Sequence, residues 1–341
     1  SLLQSLRSHL AWWGLKQFTS DADYFAWQQS QLSPEDLTQL HIQVERKRGG
    51  ERSDEIAFYD LTARPTILPV LYSQRYEYYC EIGSRVAARL GDANRILDFG
   101  CGIGVLSTFY AAHYSEKKFV GIDRSPVSIA VAQEKARELG LCNLRFECID
   151  IEAVNVPELY DVIVATHALM QAEQDSGIPS CNWQTFERAR DAKQQADFER
   201  RSGIGARLDR LNALLSAQGR MIVFEKTRQL ARRVPLQRAL AARGLDLIEQ
   251  PELIRYRLVE EVADDGPFYV LGRGASRPFQ WDDSPEPDEG PPCDRMKLKS
   301  SLTDLDEPLY ENHWPSAQHA WEQLRDKHAR KDTTKQEPDG R

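Results

Sequence analysis

The chain has 341 residues, 41% of them hydrophobic and 28% charged, with a formal net charge of −8. That is enough apolar material for one large core, and no apolar run approaches the roughly 20 residues a bilayer crossing needs. From Arg277 onward 15 acidic residues face 10 basic ones, so the rest of the chain is too near neutral for a broad phosphate-binding surface, and nucleic acid is not an expected partner. The six cysteines, Cys80, Cys101, Cys142, Cys148, Cys181 and Cys293, form no C-x-x-C pair and meet no histidine at zinc spacing. They read as free thiols in a reducing compartment, with no metal site. The first residues lack the apolar stretch of a secretion signal, and a cytoplasmic location is expected.

Residues 1–90 read as a helical N-terminal cap. Leu6, Leu10, Trp13 and Leu15 make an apolar stripe, and Ser33-Pro34-Glu35-Asp36 is a helix start, with a capping hydroxyl, proline in the first turn and acids where the helix dipole favours them. The basic cluster Arg46, Lys47, Arg48 and Arg52 is partly neutralised by Glu45 and Glu51 and reads as a solvated loop. A second helical run passes through Val70 to Leu90. Within it Tyr72, Arg75, Tyr76 and Tyr79 follow i, i+3, i+4, i+7 spacing and share one face if the helix is continuous.

From Arg95 the texture alternates between strand and helix. Apolar strands at 96–99, 119–123, 144–149, 161–165 and 221–225 are separated by helical segments, and two more strands, at 245–248 and 268–271, close the series. This pattern predicts an α/β fold: a doubly wound, seven-stranded, mostly parallel sheet with helices on both faces. The core domain is expected at 91–275. A polar insertion at 171–206 interrupts it, with a helical stretch from Trp183 to Arg201. Residues 276–341 form a Pro- and acid-rich linker and a helical tail. Ala317, Ala320, Trp321 and Leu324 line one face of that tail and would dock on a protein partner or on the chain's own core.

The sequence Ile96-Leu97-Asp98-Phe99-Gly100-Cys101-Gly102-Ile103-Gly104 places a glycine turn between a strand and a helix, which is how a chain offers backbone N–H groups and a helix N-terminus to a ligand. Asp98 stands at the end of the first strand, Asp123 at the end of the second and Asp150 after the third. An acid ending the second strand can accept hydrogen bonds from both ribose hydroxyls, which would suit a pyridine dinucleotide as well. Two details separate the ligands. The glycines fall as G-x-G-x-G, and Asp98 puts a carboxylate beside the turn, where it favours an amino-acid ammonium and opposes a pyrophosphate.

These residues resemble the class I S-adenosylmethionine-dependent methyltransferase family. The glycine segment is similar to its first motif, Gly121-Ile122-Asp123-Arg124-Ser125-Pro126 to its second-strand motif, and Cys148-Ile149-Asp150-Ile151 to its adenine-binding strand end. Tyr160 to His167 and Leu214 to Glu225 are similar to its fourth and fifth strands, so the resemblance spans about residues 60–273. It implies that S-adenosyl-L-methionine is the cofactor. Asp98, Gly100, Cys101, Gly102 and Gly104 would flank its methionine part, Asp123 and Arg124 its ribose, and Asp150 and Ile151 its adenine. Tyr72, Arg75 and Thr166 would complete the cofactor set.

Methyl transfer is an in-line displacement at a sulfonium, so the protein mainly aligns the nucleophile and excludes water, and needs a base only if the nucleophile arrives protonated. The end of the fourth strand reads Ala165-Thr166-His167-Ala168-Leu169. It lacks the Asn/Asp-Pro-Pro-Tyr/Phe turn of relatives that methylate the amino nitrogens of bases and glutamine. His167, which can titrate near neutrality, is the leading acid–base candidate, with Glu225 at the end of the fifth strand and Tyr76 as further catalytic candidates. The expected function is methyl transfer to O, N or C of a small molecule. A protein or RNA methyltransferase and a non-catalytic S-adenosylmethionine-binding interaction module are the alternatives.

Overall fold

A computed structural model describes residues 1–48, 51–153, 158–170, 177–178, 192–228, 230–259, 261–275, 279 and 281. The tail helix expected after Ser316, and the start of the helical stretch expected from Trp183, lie outside the described residues. Six helices come first: α1 (Leu2–Trp12), α2 (Asp21–Gln31), α3 (Pro34–Arg48), α4 (Arg52–Thr62), α5 (Leu68–Ser73) and α6 (Tyr76–Ala88). Then follow β1 (Arg95–Phe99), α7 (Val105–His113), β2 (Lys118–Asp123), α8 (Pro126–Glu138), β3 (Leu144–Cys148) and β4 (Tyr160–Thr166). The chain continues with α9 (Ala192–Arg201), α10 (Ile204–Leu214), β5 (Leu215–Phe224), α11 (Leu230–Ala241), β6 (Leu245–Leu247), β7 (Glu252–Arg257) and β8 (Val262–Arg273).

The sheet runs β3-β2-β1-β4-β5-β8-β6, with β7 also paired to β8, so the described strands number eight where the sequence pattern gives seven. β1 to β5 are joined by parallel pairs, and β8 is antiparallel to β5, β6 and β7. In β1 the consecutive residues Ile96 and Leu97 are both buried. Side chains alternate faces along a strand, so both faces of the sheet must be covered. Ile96, Val162, Val164 and Ile222 pack toward α1, α6 and α7, whereas Leu97, Ile163, Met221 and Val223 pack toward α10 and α11. Full burial stabilises each such side chain by about 1.5–3 kcal/mol.

Two departures from the sequence expectation shape the site. The helical run expected from Val70 to Leu90 is broken: α5 ends at Ser73 and α6 begins at Tyr76, with Arg75 at φ −101°, ψ 18°. The second departure is the length of β8. Its C-terminal half, from Phe268, pairs with β5, while its N-terminal half, Val262 to Gly266, pairs only with β7 and overhangs the end of β5. The β7–β8 hairpin is held against α6. Arg257 N donates to Glu77 Oε2 at 2.8 Å, Arg85 pairs with Glu252 at 2.6 Å, and Arg89 with Glu249 at 2.7 Å.

Candidate active site

The ends of β1, β2 and β4, the segment after β3, helices α4 to α6 and the β7–β8 hairpin line a cavity of about 580 Å³. Its size is within the usual range for small-molecule sites. Asp98, Gly100, Cys101, Gly102, Asp123, Arg124, Asp150, Ile151, Thr166, Tyr72 and Arg75 all line it, so the cavity gathers nearly every cofactor residue named from sequence, together with the catalytic candidate His167. Gly104 does not line it. It caps α7 at φ 80°, and a Cβ there would fall 2.6 Å from the ring of Phe146, so its role is packing.

The glycine turn has positive φ at Gly100 and Gly102, a region costly for residues with a Cβ. At Gly100 a Cβ would meet the Ala168 Cβ at 2.4 Å, whereas at Gly102 it would meet nothing within 4 Å. Gly102 thus keeps a bare backbone at the cavity wall, the arrangement a ligand lying on the turn requires. Asp123 accepts hydrogen bonds from Gly102 N and Ser125 N, each at 2.9 Å. Arg124 pairs with Glu55 of α4 at 2.8 Å, and Ser125 Oγ donates to Asp60 Oδ1 at 2.6 Å, so α4 is fastened over the end of β2. Ser107 donates to Asp98. Burial nonetheless pushes the Asp98 carboxyl up to about 7, against that hydrogen bond and with help from the nearby Asp123 charge. A positive group arriving beside Asp98 would reverse this. The bare glycine, the ribose-positioned acid and the buried carboxyl fit an amino-acid nucleoside.

The opposite wall is organised around His167. It has φ 53°, the sole positive value at a non-glycine residue among those described, and its N–H donates to Phe224 O at 2.7 Å. The imidazole packs against both Tyr78, with ring centroids 5.0 Å apart, and Phe224, at 5.2 Å, the three rings forming a cluster. Arg75 Nη2 donates to Nδ1 at 3.1 Å, and Nε2 lies 2.9 Å from Asp265 Oδ2. A guanidinium can only donate, so Nδ1 is the acceptor and the ring proton sits on Nε2, facing Asp265. Burial pushes the imidazole below its ordinary value; Asp265 works the other way, and Arg75 and Lys226 act with burial. Burial also opposes charge on Asp265, but His167, the Tyr256 hydroxyl and Lys226 outweigh it and hold that carboxyl at about 2. The site therefore favours the ionised form of Asp265.

Asp265 reaches this position through a bulge. The β7–β8 register passes from Ile254 opposite Gly266 to Arg255 opposite Asp264, leaving Asp265 as the extra residue. A bulge re-aims the side chain it carries. Gly266, at φ 124°, permits it, and Thr227 N donates to Asp265 O at 2.6 Å to pin it. Tyr256 of β7 donates its hydroxyl to Asp265 Oδ2.

Two catalytic candidates fall elsewhere. Tyr76 is buried in the apolar core and does not line the cavity. The break at Arg75 turns α6 so that Tyr78 and Tyr79, with Arg75 lying over the Tyr78 ring at 4.1 Å, face the cavity instead. Glu225 is also away from the cavity. Its Oε1 accepts from Ala168 N and Leu169 N, both at 2.7 Å, and burial pushes its carboxyl up to about 7. It holds the turn after β4. Tyr78, Tyr256 and Asp265 escaped the sequence reading. For Asp265 a signal existed in Asp264-Asp265-Gly266, since glycine inside a strand often marks a bulge.

A family model described as a methyltransferase domain matches residues 90–223. The matched span carries the glycine turn and all three strand-end acids. Residues 90–223 are thus similar to methyltransferase domains. The chain is similar to (S)-coclaurine N-methyltransferase of Thalictrum flavum subsp. glaucum, 30% identical over 26% of this chain and 23% of that protein. It is also similar to malonyl-(acyl-carrier protein) O-methyltransferase of Acetivibrio thermocellus, 28% identical over 31% of this chain and 38% of that protein. The chain thus matches well under half the length of these curated relatives. Among solved structures, N-methyltransferase NodS from Bradyrhizobium japonicum WM9 in complex with S-adenosyl-L-homocysteine aligns with a TM-score of 0.41 and 16% identity, over 57% of this chain and 85% of that one. Arg75, Tyr78, Tyr256 and Asp265 all lie outside the span that the methyltransferase domain model covers.

Proposed function

We propose that this chain is an S-adenosylmethionine-dependent methyltransferase that acts on a small molecule, at nitrogen or oxygen. The observation that carries the reading is one cavity with a nucleoside-fitting wall at the β1 to β3 strand ends and a polar, aromatic wall facing it across Thr166. When bound, S-adenosylmethionine supplies an electrophilic methyl group on sulfur. Asp123 would hold the ribose hydroxyls, Asp150 and Ile151 the adenine edge, and Asp98 the methionine ammonium. Arg75 and Tyr72 stand where the methionine carboxylate or an acceptor would lie. Helices α4 to α6 and the β7–β8 hairpin line the cavity beside the strand ends. Its volume of about 580 Å³ is that of a small-molecule site, which supports a small acceptor. No described helix is long and apolar enough to cross a membrane.

Isothermal titration with S-adenosylhomocysteine tests the reading directly. Binding by the wild type, lost in Asp123→Ala, is expected. Uptake of a pyridine dinucleotide with no heat from S-adenosylhomocysteine would overturn it.

A further inference from the structure

The Arg75–His167–Asp265–Tyr256 chain has one open end. His167 Nδ1 is taken by the Arg75 guanidinium, while Nε2 lies 2.9 Å from Asp265 Oδ2 without forming a hydrogen bond among the described residues, so the acceptor nitrogen of the imidazole is already occupied. On Asp265, Oδ2 accepts from the Tyr256 hydroxyl and lies 2.9 Å from His167 Nε2, while Oδ1 has no hydrogen bond among the described residues and is not sealed in the interior. Asp265 lines the cavity together with Thr166 and His167 at the end of β4. The bulge and the Thr227 contact fix the carboxylate there before any acceptor arrives.

Resting on the methyltransferase reading, we propose that Asp265 is the acceptor-orienting carboxylate and that the methyl acceptor is a weakly basic nitrogen bearing at least one hydrogen. Such a nitrogen arrives neutral and donates its N–H to Asp265 Oδ1, leaving its lone pair turned toward the methyl group. As the lone pair forms the new N–C bond, the C–S bond breaks and its electron pair stays on sulfur. The nitrogen becomes positive, and its surplus proton leaves to water once the product is released. Charge thus develops beside an anion already in place, an interaction stronger in the transition state than in the ground state. An alcohol or phenol makes the opposite demand. It must lose its proton to become a good nucleophile, and a carboxyl held at about 2 is too weak a base to take it. A carboxylate acceptor would be repelled.

The test compares the wild type with Asp265→Asn and Tyr256→Phe, using S-adenosylhomocysteine titration, ¹⁵N NMR of the His167 ring, and labelled-methyl transfer to a panel of anilines, imidazoles, phenols and carboxylic acids. Wild type and both variants should bind S-adenosylhomocysteine alike. Failure of the wild type to bind would overturn the underlying reading; binding by the wild type but not by Asp265→Asn would overturn only the role given to Asp265. The NMR spectrum should show an unprotonated Nδ1 and a protonated Nε2 in the wild type, and the reverse tautomer overturns the proposal. Nitrogen acceptors alone should be labelled. Asp265→Asn should lower kcat on them by about 10²–10³-fold, and Tyr256→Phe, which leaves the carboxylate in place, by much less. Preferred labelling of phenols or acids, or an undiminished kcat in Asp265→Asn, overturns the proposal.

Discussion

Asp123, at the end of β2, accepts a hydrogen bond from the backbone N–H of Gly102 at 2.9 Å, so the acid of one strand is tied to the glycine turn of its neighbour. A carboxylate gripped by backbone donors on two sides is oriented before a ligand comes, with lone pairs left over for ribose hydroxyls. Hydrogen bonds to a charged group contribute about 1.5–3 kcal/mol each. Asp123→Ala is therefore expected to weaken S-adenosylhomocysteine by about a hundredfold or more, as read by isothermal titration.

The two glycines of the turn should fail differently. Gly100→Ala drives a methyl group to 2.4 Å from Ala168 Cβ at φ 72°, combining backbone strain with overpacking at a cost of about 2–5 kcal/mol. A clear fall in Tm is expected. Gly102→Ala meets nothing in the protein and should cost only the strain, about 1–2 kcal/mol, yet abolish S-adenosylhomocysteine binding because its methyl group occupies the ligand's side of the turn. Thermal denaturation and titration, run in parallel on the two variants, check this.

Asp98 predicts a pH dependence of binding. Its carboxyl titrates at about 7, and only the ionised form attracts an ammonium. Below pH 7 a bound ligand must first expel the proton, so affinity for S-adenosylhomocysteine should rise up to tenfold per pH unit toward 7 and then level off. In Asp98→Asn the affinity should be lower and should lose this slope. Titrations from pH 5.5 to 8.5 provide the measurement.

Glu225 makes a stability prediction of its own. Removing its carboxylate in Glu225→Ala strands the N–H groups of Ala168 and Leu169, each costing about 1–3 kcal/mol. Burial raises the folded-state value from 4.5 to about 7, so between those values the folded protein holds a proton that the unfolded chain releases. Stability arising from this group therefore falls as pH rises from about 4.5 to 7 and is flat above. Glu225→Gln should remove that part of the pH profile, as denaturant unfolding at several pH values would reveal.

The nucleoside wall was legible in the sequence because local chain geometry produces it. Asp98, Gly100, Gly102, Asp123 and Asp150 each sit at a strand end or in a tight turn, and strand ends can be read from apolar runs. The facing wall was not legible, for three physical reasons. The i, i+3, i+4, i+7 spacing of Tyr72, Arg75, Tyr76 and Tyr79 presumes an unbroken helix, and the interruption at Arg75 exchanges Tyr76 for Tyr78. Glu225 has the residue type of a base, but the donors that claim it come from the turn after β4 and are visible only in three dimensions. Asp265 depends on a strand-pairing register, and β7, polar and short as Glu252-Leu253-Ile254-Arg255-Tyr256-Arg257, gives little apolar alternation to announce itself.

The long eighth strand also ties assembly to chemistry. A chain ending at residue 223 would keep the glycine turn and all three acids, yet lack the bulge, its tyrosine partner and the antiparallel neighbour of β5. A slip of one residue between β7 and β8 would do comparable damage, because it turns every side chain of the strand to the other face. On the proposed role of Asp265, the residues that would hold the nucleoside and those that would present an acceptor are thus written in separate stretches of the chain, and the second set is assembled only when β8 pairs with β7.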